Sequence, residues 1–420
     1  VARLETGHTP SRGHPEYWDD GDIPWIGIRD ATANHGRTLF DTQQHTNELG
    51  IANSSARVLP ANTVCLSRTA SVGYVVVMGR PMATSQDFVN WVCSERELDH
   101  RFLKYVLLAE RESFLSFASG TTHQTIYFPE VKAFHVCLPS INQQRRIADV
   151  LSAVDDLIEN NRRRIELLEQ MAQVIYREWF VHFRYPGHDT ATFVDSTLGP
   201  IPEGWRSVVS AELIEAGSLE IGDGYRAKNS EMLDAGRGLA FVRVADVRDG
   251  HLDLSRCDQL PVDYVDRLRG KVGRPGDSVI CMKGTVGRCA LADEALPPMV
   301  YSPQVSYWRS LEPDLVPPAY LYSWIRSEDF RQQCAAVKGA TDMADYVNLK
   351  DQRRMRLLLP DAETTSRFAA SISPLLRLVS SLRFNARVLG STRDHLLPRL
   401  VSGRIDVSAL DLDSSVKSAP

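Results

Sequence analysis

Two stretches of the chain place apolar residues alternately four and three apart. The first runs Ile147, Leu151, Val154, Ile158, Ile165, Leu168, Ala172, Ile175 and Trp179, with Asn161 filling the one missing place. The second runs Phe368, Ile372, Leu375, Val379, Leu382, Ala386, Leu389, Arg393, Leu396 and Leu400. This spacing predicts two amphipathic helices, each with a narrow coiled-coil seam. Ile147 and Phe368 open the two series and Trp179 and Leu400 close them, 221 residues apart in both cases. One offset that maps every seam position onto a partner marks an internal duplication. At 1.5 Å per residue, a helix from Ile147 to Trp179 would be roughly 50 Å long, more than a small domain needs.

The intervening segments have a different rhythm. Residues 1–140 alternate short β-rich runs, such as Thr63 to Leu66 and Gly73 to Met78, with Gly, Asn and Ser breaks and one helical stretch near Leu98 to Ala109. A second such globule opens at Pro200-Ile201-Pro202-Glu203-Gly204-Trp205 and closes at Leu359-Pro360. Pro60 to Val64 aligns with Pro275 to Val279, each followed by a short apolar run and then a basic residue, Arg68 or Lys283. Val72-Gly73 and Val286-Gly287 follow, and Ser119 to Thr122 aligns with Lys338 to Thr341. Framework is shared while loop chemistry is not, which points to two sites recognising different things.

The expected organisation is α+β, a pseudo-two-fold internal repeat of two related domains and two long antiparallel coiled-coil helices. Its parts are a first domain over 1–140, a first helix segment over 141–186, a second domain over 187–360, a second helix segment over 361–406 and a disordered tail over 407–420. Asn161 opposite an apolar seam is expected to fix register. Pro374 predicts either a kink or a fresh helix start with Ser373 as N-cap. The first copy has no counterpart of the segment 200–217, so its N-terminal strand is expected to be missing.

Composition sets limits. With 420 residues, 43% hydrophobic and 24% charged, the chain has the balance of an ordinary globular protein. It contains no apolar run of the ~18 residues a membrane span needs and no signal-like N-terminus, which makes a cytoplasmic location the default. Seven cysteines without a C-x-x-C pair read as buried free thiols rather than a metal site. Net charge is −5, and neither globule is basic. From Arg367 to Arg404, by contrast, seven arginines (367, 377, 383, 387, 393, 399 and 404) face Asp394 alone. That run is either a solvated helix face or a stripe for phosphates or an acidic partner protein.

Several motifs carry a resemblance that covers nearly the whole chain. They are Gly7-His8-Thr9-Pro10-Ser11, Asp22-Ile23-Pro24-Trp25-Ile26, Leu138-Pro139 leading into Gln143 to Ala148, Arg177 to Phe183, Ile201 to Trp205, and Leu396 to Ile405. In this order they resemble the specificity subunits of type I restriction-modification systems. One departure is Ala362-Glu363-Thr364-Thr365, where many family helices begin with Glu-Gln. The resemblance implies two target-recognition domains, held apart by the helices, that read a bipartite asymmetric double-stranded DNA target in the major groove. It also implies a non-catalytic chain that holds two methyltransferase (modification) subunits and restriction/translocase subunits. S-adenosylmethionine, ATP and magnesium would sit on those partners, with no cofactor or metal on this chain and no membrane association.

Missing motifs agree with that implication. Its only Pro-Pro pairs, Pro297-Pro298 and Pro317-Pro318, follow Leu296 and Val316 rather than the Asn or Asp an adenine methyltransferase needs. There is no G-x-x-x-x-G-K-[ST] phosphate loop. Candidate DNA-contacting residues are the polar and basic groups on glycine-punctuated loops: Arg68, Thr69, Ser71, Thr121, Thr122, His123 and Gln124 in the first copy, and Lys283, Thr285, Arg288, Lys338 and Thr341 in the second. Two alternatives stay open: a fused DNA methyltransferase or nuclease, and a coiled-coil scaffold that never touches DNA.

Overall fold

The computed structural model describes residues 1–117, 125–196, 199–233, 238–337 and 346–407. The chain forms two compact units, one of Val1–Asn160 with Ala386–Pro420 and one of Asn161–Asn385.

In the first unit a five-stranded sheet runs in the order Ala2–Thr6, Phe88–Cys93, Val64–Ser67, Val75–Met78, Thr38–Leu39. The β-branched run Val75-Val76-Val77 and its neighbour Val64-Cys65-Leu66 are buried throughout, as strands covered on both faces must be. Their side chains alternate. Val64, Leu66, Val75 and Val77 enter one core with Phe102, Tyr105 and Val106, while Cys65, Val76 and Met78 enter another with Ile26 and Leu59. Helix His100–Ala109 covers the first of these faces, and its N-cap Asp99 accepts from the backbone N–H groups of Arg101 and Phe102. A smaller sheet orders His45–Thr46, Ile23–Ile26 and Ala83–Thr84.

The second unit repeats this plan. Its larger sheet runs Leu219–Asp223, Val305–Ser310, Ser278–Cys281, Cys289–Leu291, and its smaller one Gln259–Leu260, Leu239–Val242, Met299–Tyr301. Arg206–Val209 adds a pair with Arg356–Leu359.

Strand register fixes which residues are equivalent and corrects the sequence alignment by one place. Leu66 lies opposite Val89 and Ile280 opposite Ser306, and Phe88 and Val305 are equivalent because each donates its N–H to the carbonyl of a serine three residues back, Ser85 or Ser302. Val64–Ser67 therefore matches Ser278–Cys281, so Arg68 corresponds to Met282 and Thr69 to Lys283. Backbone bonds agree: Ile126 N–H donates to the Arg68 carbonyl and Val347 N–H to that of Met282. Matching the two prolines, Pro60 and Pro275, misled because the shared requirement is the left-handed residue of the turn, Asn62 (φ 66°) and Gly276 (φ 88°).

Both long helices are real and longer than their seams, Ile141–Phe180 and Ala362–Val401. Ser140 and Gln143 form a reciprocal cap at the start of the first. Asp361 accepts from the Thr364 N–H at the start of the second. Helix continuity through Pro374 excludes a fresh start there. A proline costs ~3 kcal/mol and leaves the Ala370 carbonyl without its usual donor, but the buried anchors Phe368, Ile372, Val379 and Leu382 on either side hold the helix.

Within the first unit, Ile147 and Leu151 share a core with Leu397 and Leu400. Within the second, Ile165 packs with Val379 and Leu382, and the Phe180 and Phe368 rings lie 4.8 Å apart. Ascending numbers on one helix meet descending numbers on the other in each unit, so each pairing is antiparallel. Ile158 is also buried, while Val154, Asn161, Leu168, Leu375 and Leu389 are half-buried.

Two further expectations need correction. Cys65, Cys281, Cys289 and Cys334 are buried, but Cys93 and Cys257 are only partly so and Cys137 is exposed, because its run lies outside any strand. Val407, assigned to the tail, is 2% exposed in the first unit's core; residues 408–420 lie outside the described residues.

Candidate nucleic-acid interface

In each domain a glycine starts the loop that follows the first strand of the large sheet. A Cβ on Gly7 would lie 2.1 Å from the Ser85 carbonyl oxygen, and one on Gly224 1.8 Å from that of Tyr301. Only glycine lets the loop press this closely on the neighbouring strand. His8 N–H then donates to Thr84 O and Tyr225 N–H to Tyr301 O, which sets Thr9 and Arg226 at equivalent places.

In the second domain those constraints build a cleft of about 700 Å³. Phe241 and Tyr346 form apolar walls, Arg226, Arg243 and Lys283 supply three cations, and Gln304 and Ser302 supply polar groups. Arg243 is engaged by Asp258 and stands over the Phe241 ring at 5.3 Å. Arg226, Lys283 and Gln304 are exposed. Ser302 is 6% exposed, and its Oγ has no hydrogen-bond partner among the described residues.

The same place in the first domain is chemically different. Ser85, equivalent to Ser302, donates its hydroxyl to Asp87 at 3.0 Å. Thr9, Gly27 and Thr69 stand where the second domain has Arg226, Arg243 and Lys283. Two of the first domain's cations are already occupied: Arg12 lies 3.6 Å over Trp18 and donates to Gln44, and Arg68 donates to the Gln86 carbonyl.

Of the residues named from sequence, Lys283 lines the cleft and Thr285 is exposed on the turn beside it. Arg288 instead donates to the Val244 carbonyl at 2.7 Å, half-buried. Thr69 and Ser71 are half-buried on the turn after Val64–Ser67. Thr121, Thr122, His123, Gln124, Lys338 and Thr341 lie outside the described residues. The residues next to those loops do pair with the first cluster, Thr69 with Thr125 and Lys283 with Tyr346. Arg226, Arg243, Ser302 and Gln304 escaped sequence reading; aligning Gly224-Tyr225-Arg226 on Gly7-His8-Thr9 was the available signal for the first of them.

The arginine-rich run is not one free stripe. Arg393 donates to Asp155 at 2.8 Å, Arg383 to Glu169 at 2.5 Å, and Arg367 pairs with Glu363. Asp155 also accepts from Tyr105 at 2.7 Å and Lys104 at 3.2 Å, which ties both helices to the first domain. Burial raises the Asp155 carboxyl, but the Lys104 ammonium and the Arg393 and Tyr105 hydrogen bonds outweigh it and hold the group below its ordinary value. Glu169 also takes a bond from Arg326 and does the same for the second domain.

Residues 1–170 match the model of the type I restriction modification DNA specificity domain. The specificity subunit of type I restriction enzyme MjaIX from Methanocaldococcus jannaschii is 24% identical over 416 residues, 98% of this chain and 93% of the relative. Over nearly its whole length the chain is similar to the type I restriction-modification specificity subunits, and its first 170 residues carry their DNA specificity domain. Another relative of that family, the EcoR124I/EcoR124II specificity subunit of Escherichia coli, is 29% identical over 200 residues, 44% of this chain and 47% of its own. The crystal structure of an S subunit from M. genitalium shares the fold at a TM-score of 0.57 and 15% identity, covering 95% of this chain and 93% of that one. Among the described residues no group of three or more His, Cys, Asp or Glu is placed to hold a metal, and no helix is long and apolar enough to cross a membrane.

Proposed function

We propose that the chain is the DNA sequence-recognition subunit of a type I restriction-modification complex. Each α+β domain reads one half of a split, asymmetric target in double-stranded DNA. The long helices set the number of unread base pairs between the halves. One observation carries this reading: a single framework, repeated in register, presents different side chains at equivalent places, Gly27 and Asp87 in one copy against Arg243 and Gln304 in the other. Duplicated framework keeps the geometry of approach constant, and divergent side chains make the two half-sites differ.

The chain itself is not the catalyst. Methyl transfer from S-adenosylmethionine to adenine belongs to two modification subunits that the chain holds, and ATP- and magnesium-dependent translocation and cleavage belong to restriction subunits. The domains are the segments 1–140 and 187–360, and the helical segments 141–186 and 361–406 join them. Selection from randomised duplexes by the chain in complex with its modification partner tests the proposal. Enrichment of one split, non-palindromic sequence is expected, and a complex without sequence preference would overturn it.

A further inference from the structure

Equivalent positions in the two domains give an internal control on what their sites bind. Ser85 and Ser302 occupy the same place, each donating its backbone N–H to the smaller sheet, to Ile26 and Val242. In the first domain the serine hydroxyl is consumed by Asp87 two residues on. In the second that acid is replaced by Gln304, and the hydroxyl of Ser302, a residue 94% buried in the cleft lining, is left unpartnered among the described residues. A buried unpaired hydroxyl costs stability, so its retention suits a ligand that accepts from it.

The surrounding changes point the same way. Arg226 and Lys283 replace Thr9 and Thr69, and among the described residues no carboxylate lines the cleft. Asp258 engages Arg243 and leaves the other two cations exposed. Cations around a hydroxyl donor, in a concave site, suit an oxyanion. They suit a base edge less well, because base edges lie at the bottom of a groove and are reached by protruding side chains.

We propose that this cleft is a clamp for a backbone phosphate of the duplex, built from Arg226, Lys283 and Ser302, and that the first domain has no such clamp at the equivalent place. The inference rests on the DNA-reading function above and adds an asymmetry to it. The second domain supplies the larger share of sequence-independent affinity, and the first contributes through contacts of another kind.

The test measures affinity of the full chain, in complex with its modification partner, for its target duplex over a potassium chloride series, by fluorescence anisotropy. Arg226→Gln and Lys283→Gln are each expected to reduce the slope of log affinity against log salt by about 0.9 if one phosphate contact is lost. Affinity should fall equally for the target and for a duplex scrambled in either half-site. Ser302→Ala should weaken binding with the salt slope retained and without lowering the melting temperature. An unchanged slope in both charge variants, or loss of discrimination at one base of the target, overturns the clamp while the recognition function stands. A wild-type complex lacking both salt dependence and sequence preference would overturn the function itself.

Discussion

Replacing Asp155 with alanine removes the acceptor shared by Lys104, Tyr105 and Arg393, the point at which both long helices lock onto the first domain. The three losses are unequal. Arg393 keeps Asp394 at 2.8 Å and the Tyr105 hydroxyl keeps Ser152 at 3.3 Å. Lys104 has a side chain only 10% exposed, and Asp155 is the counter-charge paired with it. Stranding one partner of a buried pair costs roughly 3–5 kcal/mol. Since Asp155 and Arg393 are 22% and 30% exposed, the lower end applies, about 3 kcal/mol. For a unit of this size that lowers Tm by about 6–12 °C. Calorimetry of the full chain, in which the two units need not unfold together, would resolve the shift as movement of one transition. Lys104→Met in the Asp155→Ala background should recover at least ~1 kcal/mol, because the stranded charge is gone. A loss below ~0.5 kcal/mol for Asp155→Ala, or strict additivity of the two substitutions, would refute this account of the lock.

Other outcomes follow from the same reasoning. Asp155, Asp99 and Asp361 all have carboxyl groups held below their ordinary values. Burial opposes this in each, and is outweighed by Lys104 with Arg393 and Tyr105, by Arg101, and by the Thr364 and Trp205 hydrogen bonds respectively. A depressed folded pKa gives stability that is complete above the unfolded value and lost below it. Denaturation midpoints should therefore hold steady above about pH 5 and fall steadily below about pH 4, a pH-independent midpoint there being the contrary result. Asp277→Ala removes the closer of two carboxylates from Arg309, whose side chain is 4% exposed and which keeps Glu220 at 3.2 Å, and should cost about 3 kcal/mol in urea titration. Glu169→Gln weakens the bonds from Arg383 and Arg326 and should lower the second unit's transition by about 1–3 kcal/mol in the same assay. Insertion of one heptad into both long helices should lengthen the unread gap between half-sites by about three base pairs, at 1.5 Å per residue and 3.4 Å per base pair, with both half-sites unchanged.

How far the sequence could be read depended on whether a position is set by local pattern or by strand register. The seams were legible because a coiled-coil face needs apolar residues every three or four places, and each seam residue from Ile147 to Leu400 is turned inward. Register between strands leaves no such trace. Matching Pro60 with Pro275 put Arg68 opposite Lys283, whereas backbone pairing puts Thr69 there and buries Met282 in the place of Arg68. The unpaired Ser302 hydroxyl was invisible for the same reason: it follows from Gln304 standing where the other copy has Asp87, and that equivalence exists only once the sheets are aligned. Charge counting failed in a different way. Arg383 and Arg393 add to a basic run in the sequence, but Glu169 and Asp155 on the other helix spend them on packing.

Sequencing of adenine methylation in the source cells, with and without this chain, tests most directly whether two dissimilar domains read DNA for other subunits. The account predicts that one split, asymmetric methylation motif disappears when the chain is removed and returns when it is restored. Unaltered methylation, or loss of a continuous palindromic motif, would contradict it.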